Sequence, residues 1–89
     1  MKTAKVTIIN KLGMHARAAA KLVQLSHQFD SKIILNKGGE LADAKSITDI
    51  LMLAGAKYTE LTLSVEVQDE DAAIEEIQRL ITDKFGEEE

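Results

Sequence analysis

The stretch Glu60 to Val67 alternates, with Leu61, Leu63, Val65 and Val67 on one face and polar side chains between them. A period of two is the mark of a strand. An apolar face on one side only demands cover on that side and water on the other. A sheet of such strands is antiparallel, since parallel sheets bury both faces and need apolar residues on each. The rest of the chain follows the same pattern. Residues 2 to 9 place Ala4, Val6 and Ile8 on one face and predict a strand. Lys32 to Lys37 carries Ile33-Ile34-Leu35 and predicts another. Gly38-Gly39 tolerates positive φ at both positions and predicts a tight turn into a short strand at Glu40 to Ala42.

Between these strands the spacing becomes helical. Ala18, Leu22, Leu25 and Phe29 fall on one stripe over residues 16 to 28, with Ala19 and Val23 beside them and Lys21, Gln24 and Gln28 on the wet side. Ser46-Ile47-Thr48-Asp49 has the form of a capping box and opens a short helix over Ile47 to Leu53, which Gly55 is placed to end. Asp69 is placed to cap a last helix, with Glu70 and Asp71 favourable in its first turn. Ile74, Ile77, Ile81 and Phe85 form its stripe, Gly86 stops it, and Glu87 to Glu89 reads as a frayed acidic tail. The predicted order is β-α-β-β-α-β-α. It gives one α+β domain over residues 1–89, an open-faced sandwich with helices on one side of a mainly antiparallel sheet.

Composition narrows the function. Net charge is −4, from 15 acidic against 11 basic residues, which argues against nucleic acid or an anionic membrane as partner. No apolar run approaches the ~18 residues of a spanning helix, and no signal-peptide pattern is present. Cysteine is absent, which removes disulfides and thiolate metal sites and points to a cytoplasmic home. The charge is uneven. Residues 1 to 30 hold Lys2, Lys5, Lys11, Arg17 and Lys21 against Asp30 alone, so an acidic partner is steered to that end.

That end also carries the most reactive arrangement. A loop from Asn10 to Met14 precedes a helix that starts at Ala16, which puts His15 at or beside the N-cap. The first amides of a helix lack internal acceptors, and the aligned dipoles leave positive charge there, so the end attracts phosphate. Arg17 in the first turn adds a planar donor fork suited to phosphate oxygens. These positive groups disfavour an imidazolium, so His15 is expected to be neutral and nucleophilic. The plainer alternative is a capping histidine beside a solvated arginine. His27, twelve residues on and ~18 Å away along the helix, cannot join His15 and reads as a surface residue. Ser46 is first a helix cap and second a regulatory phosphorylation site. The carboxylates from 69 to 76 lack the alternation and glycines of a calcium loop, and neither zinc spacing, a glycine-rich phosphate loop nor a Ser-His-Asp order occurs. No metal or cofactor is expected.

With those residues in view, the chain resembles HPr, the histidine-containing phosphocarrier family of the phosphoenolpyruvate-dependent phosphotransferase system. The resemblance covers essentially the whole length. It rests on Asn10-Lys11-Leu12-Gly13-Met14-His15-Ala16-Arg17, on Ala44-Lys45-Ser46-Ile47 with Leu51-Met52-Leu53-Ala54, and on the ending Phe85-Gly86-Glu87-Glu88. It implies a four-stranded antiparallel sheet with three helices on one face. It also implies a carrier rather than an enzyme, transiently phosphorylated on Nδ1 of His15 by phospho-Enzyme I and discharged to a histidine of an Enzyme IIA domain. Arg17 and the backbone N–H groups of Ala16 and Arg17 would hold the phosphoryl group. Ala20, Ile47, Thr48 and Leu51 match the partner-docking surface, and Ser46 matches the site of HPr kinase/phosphorylase. A monomer is the default expectation.

The chain departs from the family pattern at Ala18, where proline is usual, and at Thr48-Asp49, which weakens the match to the serine-regulated branch. The Gly13-Met14-His15 form is similar to the nitrogen-related NPr branch. Two readings of other classes remain: a regulatory binding module acting through residues 47 to 53, for which His15 is dispensable, and a small-ligand domain without phosphoryl chemistry.

Overall fold

The computed structural model describes residues 1–53, 55–66 and 68–88. Expectations that fell on Ala54, Val67 and Glu89 lie outside the described residues. The elements are β1 (Lys2–Thr7), α1 (Ala16–Ser26), β2 (Lys32–Lys37), β3 (Glu40–Asp43), α2 (Ile47–Leu53), β4 (Glu60–Glu66) and α3 (Glu70–Thr82), followed by a single turn at Lys84–Gly86. The order matches the sequence reading. The sheet runs β1-β4-β2-β3 with every neighbour antiparallel.

Register explains the core. Leu63 of β4 lies between Ala4 of β1 and Leu35 of β2, and Leu35 in turn faces Ala42 of β3. Val6, Leu61, Leu63, Val65, Ile33, Leu35 and Ala42 are all buried on the face that the helices cover. α3 packs on β1 and β4, α2 packs on β3, and α1 touches both other helices. Ala18, Ala19 and Leu22 from α1, Ile50 and Leu53 from α2, and Ala73, Ile77 and Ile81 from α3 close the core. Gly38 and Gly39 turn β2 into β3 at φ values of 58° and 100°, as the hairpin reading requires.

Several expectations change, the first at β1, which ends at Thr7 rather than residue 9. α1 ends at Ser26 rather than 28, because His27 is its C-cap and the Gln28 amide tightens onto the Leu25 carbonyl, three residues back. Gly55 does not end α2 through a left-handed turn. It is buried, and a Cβ there would strike the Ile8 side chain. Close approach of two loops is its purpose.

Asp69 precedes α3 without capping it. Its backbone is left-handed (φ 42°), and its carboxylate accepts from the amides of Asp30 (3.2 Å) and Ser31 (3.1 Å) and from the Ser31 hydroxyl. A carboxylate that closes the α1–β2 loop cannot also reach the α3 amides. The Ser31 hydroxyl holds this carboxyl below its usual range against the opposing effect of burial, aided by the two amides and the Lys45 charge.

α3 stops at Thr82, and Phe85 does not extend its helical stripe. Lys84, Phe85 and Gly86 take φ values of 57°, 55° and 80°, so the chain hooks back. A left-handed conformation costs about 1–2 kcal/mol at each of the two non-glycine positions. Complete burial of Phe85 contributes about 1.5–3 kcal/mol. A hydrogen bond from the half-buried Lys21 ammonium to the Phe85 carbonyl, at 2.6 Å, adds about 1.5–3 kcal/mol. The hook holds.

Candidate phosphoryl-acceptor site

The loop before α1 is shaped by backbone contacts rather than by bulk. The Gly13 amide bonds the Asn10 carbonyl at 3.1 Å, and the Met14 amide bonds the Gly55 carbonyl at 2.7 Å. Gly13 sits at φ 67°, and any side chain there would run into Gly55 and Ala56. Met14 is buried beneath this crossing. The chain therefore enters α1 on a fixed path, with His15 extended (φ −79°, ψ 177°) as its N-cap. The His15 carbonyl accepts the first helical bond, from Ala19, at 2.9 Å.

The imidazole points back over the helix end. Its Nδ1 accepts from the Arg17 amide at 3.3 Å, so His15 caps with a ring nitrogen where a serine would use oxygen. Its Nε2 meets the carboxylate of Glu87. Glu87 is the residue whose place the sequence did not reveal. It was expected in a frayed tail, and the hook at Lys84–Gly86 carries it into the site instead. The side chains of His15 and Glu87 keep 26% and 15% of their surface. Burial pushes the Glu87 carboxyl up, but hydrogen bonds from His15 and from Asn10, with attraction from His15 and Lys21, bring it below the usual carboxylate range. An ionised carboxylate can only accept, which puts a hydrogen on Nε2, and the Arg17 amide that donates to Nδ1 requires a lone pair there.

Asn10 completes the arrangement. It is fully buried, and its amide donates to Glu87 Oε1 at 3.0 Å and to the Gly13 carbonyl at 2.8 Å. Nothing local in the sequence links residue 10 to residue 87, so the role of Asn10 is visible only in the fold. A cleft lined by Lys11, Leu12, His15, Ala16, Arg17, Glu87 and Glu88 opens in front of the ring. Ala16 and Arg17 are exposed at its edge, and their amides lie in the first turn, where α1 itself offers no acceptor.

The other residues singled out by sequence lie elsewhere. Ser46 caps α2, accepting from the Asp49 amide at 3.3 Å. The reciprocal half of the capping box is missing: the Asp49 carboxylate accepts from the Asp43 amide at 3.1 Å, and the Ser46 amide turns to the Asp43 carbonyl at 2.9 Å. Ile47 and Leu51 expose 43% and 42% of their surface, Thr48 is exposed and Ala20 is half-buried. α1, which bears Ala20, is in contact with α2, which bears the other three. His27 lies at the far end of α1 against the Lys45 carbonyl, at 3.0 Å. Among the described residues no cluster of His, Cys, Asp or Glu could hold a metal ion, and no helix is long and apolar enough to cross a membrane.

Known proteins place this geometry in a family. The family described as the phosphorylation site of the HPr component of the phosphotransferase system matches residues 2–83. The phosphocarrier protein HPr of Cupriavidus necator is 46% identical over 81 residues, covering 91% of each chain. The phosphocarrier protein NPr of Shewanella violacea is 45% identical over 83 residues, covering 93% of this chain and 91% of that one. The solved structure of HPr-C-His from Thermoanaerobacter tengcongensis superimposes with a TM-score of 0.96 at 42% identity, covering both chains completely. An HPr from the same organism is described as a dimer (TM-score 0.78), and Crh of Bacillus subtilis as a domain-swapped dimer (TM-score 0.76). The expected monomer thus stands against two relatives described as dimers. The α+β sandwich with its N-capping histidine, and relatives of both names over nearly the whole length, lead to one conclusion: the chain belongs to the HPr family of phosphocarrier proteins.

Proposed function

We propose that this chain carries a phosphoryl group on Nδ1 of His15, taking it from phospho-Enzyme I and passing it to a histidine of an Enzyme IIA domain in sugar uptake. The observation that carries this reading is Nδ1 of His15 accepting from the Arg17 amide at 3.3 Å at the N-terminus of α1. In the forward step Nδ1 attacks phosphorus in line, and the bond to the donor nitrogen breaks with its electron pair returning to the donor ring. The Nε2 proton stays where it is. Ala16 and Arg17 offer backbone N–H groups to the phosphoryl oxygens, and the Arg17 guanidinium adds a charge-assisted fork. One helix end and one arginine give a moderate hold, which onward transfer requires. No metal or cofactor is needed on the carrier, and the chain itself is not an enzyme.

Ala20, Ile47, Thr48 and Leu51 form the docking patch for Enzyme I and IIA domains, a small surface suited to brief encounters. The carrier works in the cytoplasm as one domain, 1–89. Ser46 is the residue an HPr kinase/phosphorylase would modify, although Asp43 and Asp49 beside it make a poor setting for a further negative charge. A second reading is favoured by the NPr relative, nearly as similar as the HPr one: the donor is then a nitrogen-type Enzyme I and the output is regulatory.

The experiment is intact-mass measurement at neutral pH after incubation with phosphoenolpyruvate and either type of Enzyme I. One added phosphate, lost in mild acid and absent from His15→Ala, is expected, and the faster enzyme names the branch. Labelling that persists in His15→Ala would move the site, and no labelling with either enzyme would remove the carrier reading.

A further inference from the structure

The C-terminal hook and the buried Asn10 serve one group. Glu87 is separated from His15 by 72 residues, and two devices bring it there: the left-handed turn at Lys84–Gly86, locked by Phe85 and Lys21, and the Asn10 amide. Asn10 gives both of its amide hydrogens to this purpose, one to Glu87 Oε1 and one to the Gly13 carbonyl. Its Oδ1 is buried without a hydrogen-bond partner among the described residues. Rotating the amide to satisfy that oxygen would aim it at the Glu87 carboxylate and the Gly13 carbonyl, two acceptors. An unpaired oxygen is tolerated because the two donors are needed where they are.

We propose that Asn10 is a positioning residue for phosphoryl transfer: it fixes the Glu87 carboxylate on the Nε2–H of His15, which keeps the ring in the form that offers Nδ1 to phosphorus. The inference rests on His15 being the acceptor. When Nδ1 forms its bond to phosphorus, the ring acquires positive charge while Nε2 retains its hydrogen. That hydrogen then faces a carboxylate already in place, with no reorganisation needed. On onward transfer the N–P bond breaks, its electron pair returns to Nδ1, and the ring is neutral again with the same proton on Nε2. The ring nitrogen that does chemistry is thus selected by what the other nitrogen donates to, as in other carboxylate–histidine pairs.

The test combines nitrogen-15 NMR of the His15 ring with transfer rates, in the full chain and in the Asn10→Ala, Glu87→Gln and doubly substituted forms. The unsubstituted chain is expected to show the Nε2–H tautomer alone when neutral. Both single variants are expected to show a mixture of tautomers and to slow transfer from phospho-Enzyme I by about 10- to 100-fold, the range lost when a histidine loses its orienting partner. The double variant is expected to be no slower than Glu87→Gln, since Asn10 acts through Glu87. A tautomer unchanged in Asn10→Ala, or losses that multiply in the double variant, would overturn the proposal. Should Asn10→Ala fail to fold, Glu87→Gln, which leaves the buried Asn10 in place, reads the tautomer independently, and a ring that stays in the Nε2–H form alone in that variant would overturn the proposal. Absence of any phosphate on His15 in the unsubstituted chain would instead defeat the carrier reading, and the ring spectrum would still show whether Asn10 and Glu87 set the tautomer.

Discussion

The two helix starts that carry chemistry-bearing caps, His15 on α1 and Ser46 on α2, share a backbone plan and differ in everything around it. Each cap accepts from an amide of its own first turn, at the same 3.3 Å. Around His15 lie Arg17, Lys11 and an open cleft, with the Glu87 carboxylate held behind the ring on Nε2 and Glu88 also lining the cleft. Around Ser46 the neighbouring carboxylates of Asp43 and Asp49 are engaged with amides of the turn itself, Asp43 bonding Lys45 and Asp49 bonding Asp43. The same dipole therefore faces an open cleft with two basic side chains in its lining in one case and a turn already supplied with negative charge in the other. A helix N-terminus supplies a small bias. The side chains next to it decide what the bias is used for.

The comparison can be broken most directly at Arg17. Arg17→Ala is expected to slow transfer from phospho-Enzyme I by on the order of 10²–10³-fold, the cost of removing one donor to developing charge. Because the side chain is exposed, the melting curve should stay within about 0.5 kcal/mol of the parent. Near-normal transfer would mean that the helix end alone holds the phosphoryl group. The mirror-image outcome is expected at the other cap. Ser46→Ala should lose about 0.5–2 kcal/mol in urea unfolding, a cap's worth, while phosphorylation of His15 proceeds unchanged. A change in transfer without a loss of stability would give Ser46 a part in docking.

The smallest effect should come from Ala18. It is the third residue of α1, where the backbone amide still has no acceptor within the helix, so a proline costs no hydrogen bond. Ala18→Pro is expected to raise stability by about 0.4–1 kcal/mol, or roughly 2–8 °C in Tm for a chain of this size, measured by thermal denaturation. Destabilisation would show that the buried methyl of Ala18 is packed too closely to admit the ring.

What the sequence disclosed and what it hid divide along the same line as the two caps. Features set by neighbours in the chain were legible. The alternation from Glu60 and the Ser46 cap gave β4 and α2 at nearly their observed limits, and His15 was placed at its helix start because a loop and an alanine-rich run meet there. Features set by distant partners were not. Asp69 had every local reason to cap α3, yet the α1–β2 loop claims its carboxylate. Glu87 looked like part of a solvated tail because the turn that redirects it uses left-handed Lys84 and Phe85, residues with no propensity for that shape. The one available signal was Phe85 beside Gly86: a large apolar anchor followed by a residue that permits reversal. Asn10 carried no signal at all, since its task exists only once Glu87 has arrived.

The meeting of residue 15 with residue 87 has a consequence for how the protein is made. A ribosome releases His15 and its helix well before the carboxylate that meets the ring, which lies 72 residues further along the chain. A nascent or prematurely ended chain has the histidine and the arginine but lacks the group behind the ring. The contact between ring and carboxylate therefore forms only after Glu87 has been made.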